Sequence, residues 1–346
     1  MACENLYLHF PFCRSKCRYC ALHSRAGSSA EERDAYVRRI AAAVEDVGRG
    51  CLFKTVYFGG GTPALCNLGP VLAALGPSIG NETEFTVELH PLDVVTDLLK
   101  ELSDCGVNRI SMGVQSLDDA VLAHMGRNYV FGQAERAFAM VKERFDNAGI
   151  DLIVGYPGET AAILPLHRRL ASWGLRHCSV YALQNERGLT DVVDDETTMN
   201  RIAETARFLE EIGLRRYEIS NYAEEGFECR HNLAVWRGED YIGLGDGACG
   251  RIGLKRTRNF WGQTPGKGGL SPSEETVAVE FDANERRLFR LRTREGLDAS
   301  GRPEWSHTLS RFVSQGLLVN AGDIYRLTER GMEVCDSILA ELVSAS

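Results

Sequence analysis

The chain has 346 residues, of which 44% are hydrophobic and 25% charged, and a formal net charge of −9. That length leaves room for one large domain and a smaller one, with the composition of an ordinary globular protein. The acidic balance argues against a nucleic-acid-coating surface, and no apolar run approaches the length of a membrane span.

Eleven cysteines, an odd number with no secretory pattern ahead of them, point to a reducing, cytoplasmic setting rather than a disulfide framework. A first strand is expected at residues 6–9. It leads into three thiols within eight residues, Cys13, Cys17 and Cys20, spaced C-x3-C-x2-C. Thiolates packed this closely hold a soft metal or a cluster. A zinc site would want a fourth ligand nearby, and the next cysteine is Cys51. Three cysteines can hold a 4Fe–4S cluster with one iron left open. A zinc knuckle, or three unrelated core cysteines, is the alternative.

Short β-branched or aromatic runs at 55–58, 84–89, 109–114, 150–154 and 179–183 predict five more strands. Between them, 31–47, 68–75, 94–104, 132–145 and 161–173 have the three- and four-residue apolar steps of amphipathic helices. Repeated β-α order predicts an α/β fold with a parallel sheet, an open, partial (β/α)6 TIM-like barrel carrying its functional groups at the C-terminal strand ends.

The motifs sit at those ends. Gly59-Gly60-Gly61-Thr62-Pro63 follows the second strand, letting the backbone approach a ligand. A phosphate loop would need a following Lys with Ser or Thr, which is missing; a flexible turn is the bland alternative. Glu88 ends the third strand and Gln115 the fourth, so both point to one mouth. Arg127 offers a bidentate carboxylate partner, and Asp151 opens the fifth strand. Taken singly, each is more often a capping or surface group.

Further along, Cys229-Arg230-His231-Asn232-Leu233-Ala234-Val235-Trp236 places an imidazole near a large apolar ring. Residues 264–273, rich in Gly, Pro and Ser, predict an exposed linker. From 283 onward a helix at 284–292, a helix at 309–315, a hairpin at 316–319 and 325–328 and a helix at 329–342 suggest a small winged-helix-like domain. Without a basic recognition face it is expected to act as a lid or packing domain. The expected divisions are 1–220 for the barrel, 221–282 for an extension and 283–346 for the small domain.

The cysteine spacing followed by the glycine loop resembles the radical S-adenosylmethionine (SAM) proteins. In that family Cys13, Cys17 and Cys20 would ligate three irons of a 4Fe–4S cluster and SAM the fourth. One electron would then break the sulfonium bond, leaving methionine and a deoxyadenosyl radical that abstracts hydrogen. The run from Tyr7 to Cys20, GGGTP, VELHP, RISMGVQS, Gly126-Arg127 and DLIVGYPGET is similar, in the same order over nearly the whole chain, to the oxygen-independent coproporphyrinogen III oxidase family. The resemblance implies SAM contacts from Tyr7, Gly60, Gly61, Thr62, Glu88, Gln115, Arg127 and Asp151.

That family has two branches. The oxidase carries an N-terminal extension and a further cysteine two residues after the third; here twelve residues precede Cys13, and Leu22 stands at the second place. The bacterial heme chaperone branch hands on heme and carries a His-Asn-x-x-Tyr-Trp motif. The resemblance makes His231 a heme ligand, a hydrogen-bonded structural histidine being the alternative. Val235 replaces the motif's tyrosine, Leu22 an aromatic residue, and Asp246 and Cys249 the usual Pro and His.

The expectation is a heme chaperone with a 4Fe–4S cluster, SAM and heme as cargo. It would work with a heme-acceptor protein and an electron donor, without nucleic acid, and with peripheral membrane association left open. The alternative is a coproporphyrinogen III oxidase, abstracting hydrogen from propionates that then lose carbon dioxide, or another radical reaction on a tetrapyrrole. A winged-helix regulator with a redox-sensing cluster is disfavoured by the acidic charge and the GGGTP loop.

Overall fold

The computed structural model describes residues 3–159, 163–185, 187–190, 192–261 and 270–345. Nine strands form its main sheet, in the order Ile242–Leu244, Asn5–Phe10, Phe53–Gly60, Ile79–Leu89, Arg109–Gln115, Asn147–Val154, His177–Ala182, Asn221–Ala223 and Arg215–Arg216. Neighbours are parallel as far as His177–Ala182. The last two strands run antiparallel. All six expected strands are present in the expected order, as the partial barrel requires. The sheet also continues past residue 220, placing Asn221–Ala223 between His177–Ala182 and the edge strand Arg215–Arg216, and Ile242–Leu244 on the opposite edge.

Strand periodicity sorts the side chains into two layers. Leu6, Leu8, Phe10, Val56, Phe58, Phe85, Val87, Ile110, Met112, Val114 and Ile150 are fully buried against the surrounding helices. Each such side chain contributes roughly 2 kcal/mol of transfer free energy, so the register is firmly set. The alternate positions are polar: Tyr7, His9, Thr55, Tyr57, Thr86, Glu88, Arg109, Ser111, Asp151 and Ser179 fill the barrel interior. A one-residue slip would exchange the two sets.

The expected helices appear as Ala30–Gly48, Gly69–Leu75, Thr96–Asp104 and Phe131–Lys142. The first is fixed by a capping box in which Ser29 and Glu32 exchange hydrogen bonds. The segment expected at 161–173 is helical from Ile163 to Leu170 and closes in a 3-10 turn at Ala171–Trp173; its first two residues lie outside the described ones. Helix Asp195–Glu211 was not expected, because two of its four buried residues are Thr198 and Thr205 and its apolar stripe is thin.

The linker expected at 264–273 is corrected over part of its length. Residues 264–269 lie outside the described ones, whereas the rest belongs to strand Leu270–Thr276 of an antiparallel sheet with Cys249–Ile252 and Lys255–Trp261. The C-terminal segment has its own core, with Trp305, Leu309, Phe312, Leu318, Ile338 and Leu342 between a three-stranded sheet and its helices. Its last expected helix is two, Glu329–Glu333 and Cys335–Ser344, broken at Val334. No helix among the described residues is long and apolar enough to cross a membrane.

Candidate functional site

The glycine triplet sets the geometry of the mouth. Gly60 has φ +109°, and a Cβ there would stand 2.6 Å from the His9 ring. A Cβ on Gly61 would fall 2.5 Å from the Phe12 carbonyl and 2.9 Å from Cys13 Sγ. Only glycine lets this turn close against the cysteine loop. The Gly61 and Thr62 amides donate to the Phe10 and Phe12 carbonyls at 2.7 and 2.8 Å, and Gly60 N–H to Glu88 Oε2 at 3.2 Å. The amides of this turn are thus occupied. The loop has carbonyl oxygens left to offer, which suit an ammonium group.

A cavity of about 940 Å³ opens over this loop. Its wall brings together Cys13, Cys17, Cys20, Gly60, Gly61, Thr62, Glu88, Gln115, Arg127 and Asp151. Two expected residues, Tyr7 and His231, are not on that wall. Tyr7 lies below it, its hydroxyl donating to His9 Nδ1 at 2.9 Å because His9 Nε2–H is spent on the His23 carbonyl at 2.7 Å. Asp151 does not open its strand, which starts at Asn147; it sits mid-strand, level with Ser179 and Gly113 on its neighbours.

Two buried carboxylates dominate the electrostatics. Burial, and next the charge of Asp151, push Glu88 up to about 7, although Tyr57 O–H donates to it at 2.8 Å. Asp151 is also raised, mainly by burial, and accepts from Ser111 Oγ at 3.1 Å. Opposite them, Arg127 spends three donors on the Gly113 carbonyl, the Tyr129 hydroxyl (3.4 Å) and Cys17 Sγ (3.7 Å). The guanidinium has five N–H donors, so two remain for a carboxylate.

Gln115 is strained into place. At φ +70° it is the single non-glycine residue in the left-handed region among those described, at a register shift between Gly113 and Gln115. A Cβ at Gly113 would lie 2.6 Å from Gln115 Nε2 and 3.2 Å from an Arg127 nitrogen. Gly113 therefore holds room for both. Sequence reasoning missed it, together with Tyr57 and the fully buried Arg109; period-2 alternation back from Gln115 along its own strand would have pointed to Gly113 and Arg109.

His231 occupies the barrel's interior floor. Helix Arg230–Trp236 is anchored by Glu84, which accepts the Arg230 and His231 amides at 2.8 and 3.0 Å. Thr55 spends its proton on Asn5 Oδ1, so His231 Nδ1–H donates to Thr55 Oγ1 at 2.8 Å and Nε2 keeps its lone pair. The ring lies against Tyr57 and Tyr7, with centroids 5.3 and 6.3 Å away. Burial lowers its pKa to about 4. In this arrangement the imidazole is a packed, neutral core residue.

Of the departures, Leu22 is 57% exposed on the cysteine loop. Asp246 meets His23 of the same loop at 3.0 Å, which ties strand Ile242–Leu244 to the cluster motif.

These residues fit an iron–sulfur cluster and SAM. Three free cysteines share one wall, and the glycine turn is cut to the thiol of Cys13. No three His, Cys, Asp or Glu side chains among the described residues converge as ligands of a single metal ion, which a cluster does not ask of its cysteines, each binding its own iron. Cys13, Cys17 and Cys20 would hold the cluster. The loop carbonyls with Glu88 suit the SAM ammonium, Arg127 its carboxylate, and Gln115 and Asp151 its hydroxyls. When bound, the pair supplies a one-electron source and a radical precursor; the protein positions them and excludes water.

The comparisons agree with this chemistry. The pattern of the radical SAM superfamily matches residues 7–170. The heme chaperone HemW of Mycobacterium tuberculosis is 31% identical over 98% of this chain and 94% of its own. That of Synechocystis is 35% identical over 74% of this chain and 69% of its own, and that of Escherichia coli 29% over 97% of each. Among solved structures, coproporphyrinogen III oxidase of Escherichia coli, a radical SAM enzyme, superposes with a TM-score of 0.83 over 98% of this chain and 89% of that one. At 20% identity that likeness is one of fold. Identity above 30% along almost the full length of both partners establishes kinship: the chain belongs to the radical SAM superfamily and, within it, to the HemW family.

Proposed function

We propose that the chain is a radical-SAM heme chaperone: it binds heme over the cluster and SAM site and passes it to an acceptor protein, with electrons supplied by a separate donor. The observation that carries this reading is the end-to-end alignment with proteins named as heme chaperones, which includes the segment around His231 and Trp236 and the C-terminal domain. The cavity supports it, being large and walled by both the barrel and that domain. His231 belongs to the proposal on one condition. It must leave its buried place against Tyr57 and Tyr7 to present Nε2 to iron.

A second reading keeps its place because Glu88, Gln115, Arg127 and Asp151 meet the cluster thiols on one wall. That arrangement serves a coproporphyrinogen III oxidase, or another radical reaction on a tetrapyrrole, equally well.

One experiment separates the two. The cluster is reconstituted anaerobically, SAM and reductant are added, and heme and coproporphyrinogen III are presented in separate samples. Stoichiometric heme uptake without decarboxylation is expected. SAM-dependent release of carbon dioxide from the porphyrinogen would replace the chaperone with the oxidase. Cys17→Ala should abolish the cluster spectrum, and His231→Ala should weaken heme binding while sparing the cluster; intact heme affinity in the latter removes His231 as a ligand.

A further inference from the structure

The helix that carries His231 also carries Trp236, whose contacts run away from the barrel floor to the side of the cavity formed by the C-terminal segment. Arg292 lies over the Trp236 ring, its guanidinium carbon 5.1 Å from the centroid. Trp236 Nε1 donates to Glu218 Oε2 at 3.0 Å, and the same carboxylate accepts the Ser220 amide at 3.3 Å. Arg216 donates to the Ile219 carbonyl through Nε at 3.0 Å. Arg216, Ile219, Ser220 and Arg292 all line the cavity. The helix therefore braces one wall of the cavity, and that wall holds two guanidinium groups.

Neither guanidinium is neutralised in depth. Arg216 meets Glu329 at 3.3 Å and Arg292 meets Asp336 at 2.5 Å, but these carboxylate side chains are 63% and 84% exposed. Pairs with so exposed a partner are weak, and an incoming carboxylate can share or displace that partner. Arg292 Nε is buried without a hydrogen-bond partner among the described residues, a donor left for a ligand to satisfy. The C-terminal segment adds Met332, Val334 and Cys335 to the cavity lining, together with the polar Glu333, Asp336 and Ser337.

We propose that Arg216 and Arg292 form a subsite for the propionate carboxylates of a tetrapyrrole, with Trp236 as the positioning residue that holds Arg292 flat to the cavity. The inference rests on the tetrapyrrole reading and adds an orientation to it: the carboxylate edge of the ring lies against the C-terminal domain. Guanidinium groups bind carboxylates bidentately and keep their charge at any working pH. The motif's tryptophan thereby gains a role that does not depend on iron ligation.

The test compares heme with heme dimethyl ester, which keeps the ring and iron but lacks the free carboxylates. Coproporphyrin III serves as an iron-free probe with carboxylates. The cluster-loaded wild type should bind heme at least tenfold more tightly than the ester. In Arg216→Gln and Arg292→Gln that preference should fall toward unity, with ester affinity unchanged. Trp236→Leu should act like Arg292→Gln, and Trp236→Phe should restore the preference, since a ring suffices to seat the guanidinium. Wild type that binds heme and ester alike, or variants that lose both equally, would overturn the subsite while leaving the chaperone reading intact. Should the wild type refuse heme yet bind coproporphyrin III in an Arg292-dependent way, the chaperone reading fails and the subsite stands. Refusal of both probes would overturn the subsite as well.

Discussion

Single residues at the mouth carry opposing demands of stability and binding. Glu88 is raised to about 7 by burial first and Asp151 second. A carboxyl group with a raised folded-state pKa favours folding below its unfolded value, near 4.5, and loses that advantage as pH climbs through 7. Glu88→Gln should thus stabilise the cluster-free, SAM-free protein by on the order of 2 kcal/mol at pH 8 and by little at pH 4.5. Urea denaturation at the two pH values checks this. The same variant should bind SAM at least tenfold more weakly, because the charge opposite the ammonium is gone. Gly61→Ala presses a methyl group onto the Phe12 carbonyl and the Cys13 thiol. The loop must shift, and the expected outcome is a folded protein that no longer retains a full cluster, read from iron content and absorbance. Full occupancy in this variant would show that the glycine turn is not what positions Cys13.

At the scale of elements, helix Arg230–Trp236 is a plug as well as a motif. It seals the barrel floor by exchanging main-chain amides for the Glu84 carboxylate and by burying His231 beneath Tyr57. A buried histidine held neutral stabilises the fold above its unfolded pKa of about 6.5, and that contribution is lost as pH falls toward its folded value of about 4. Between pH 7 and 4.5 the wild type should therefore lose about 2 kcal/mol more than His231→Gln, measured by denaturant midpoints, a comparison that cancels the other buried histidines. Equal losses would mean that His231 is hydrated and open in solution. The strands and most helices were legible because each had a strong period, with Leu6, Leu8 and Phe10 alternating against Tyr7 and His9. Helix Asp195–Glu211 was not, since a helix that buries threonines against a barrel lacks an apolar stripe. The antiparallel strand Lys255–Trp261 reads as charged surface, because Lys255 and Arg256 act in ion pairs that only the fold discloses. The candidate site was legible where a motif fell on a strand end, as with Glu88 and Gln115. It was less legible for Tyr7 and His231, which lie off the cavity wall at a depth that depends on what plugs the barrel floor.

The whole molecule depends on how the pieces outside the barrel are tied to it, and the tie is electrostatic. Asp282, on helix Val279–Arg290, accepts from Arg251 at 2.8 Å, Arg256 at 2.5 Å and Arg286 at 2.7 Å. Arg251 and Arg256 belong to the antiparallel sheet, and Arg286 reaches on to Asp240, just ahead of the barrel's edge strand. One carboxylate thus joins sheet, helix and barrel. These arginines, with burial opposing them, hold Asp282 well below the usual carboxylate range. The Arg251 side chain is 4% exposed, so removing its partner leaves a buried charge with only Glu285, at 3.3 Å, to answer it. Breaking such a pair costs about 3 kcal/mol, whereas an exposed helical pair is worth a few tenths. Asp282→Asn should accordingly destabilise the protein by about 3 kcal/mol, and Lys100→Ala, which removes the exposed pair with Asp104, by less than about 0.5 kcal/mol. Hydrogen exchange should show the loss first in strands Cys249–Ile252 and Lys255–Trp261, ahead of the parallel strands. If both variants lost the same small amount, the network would be surface decoration, and the attachment of helix Val279–Arg290 would rest on its apolar contacts alone.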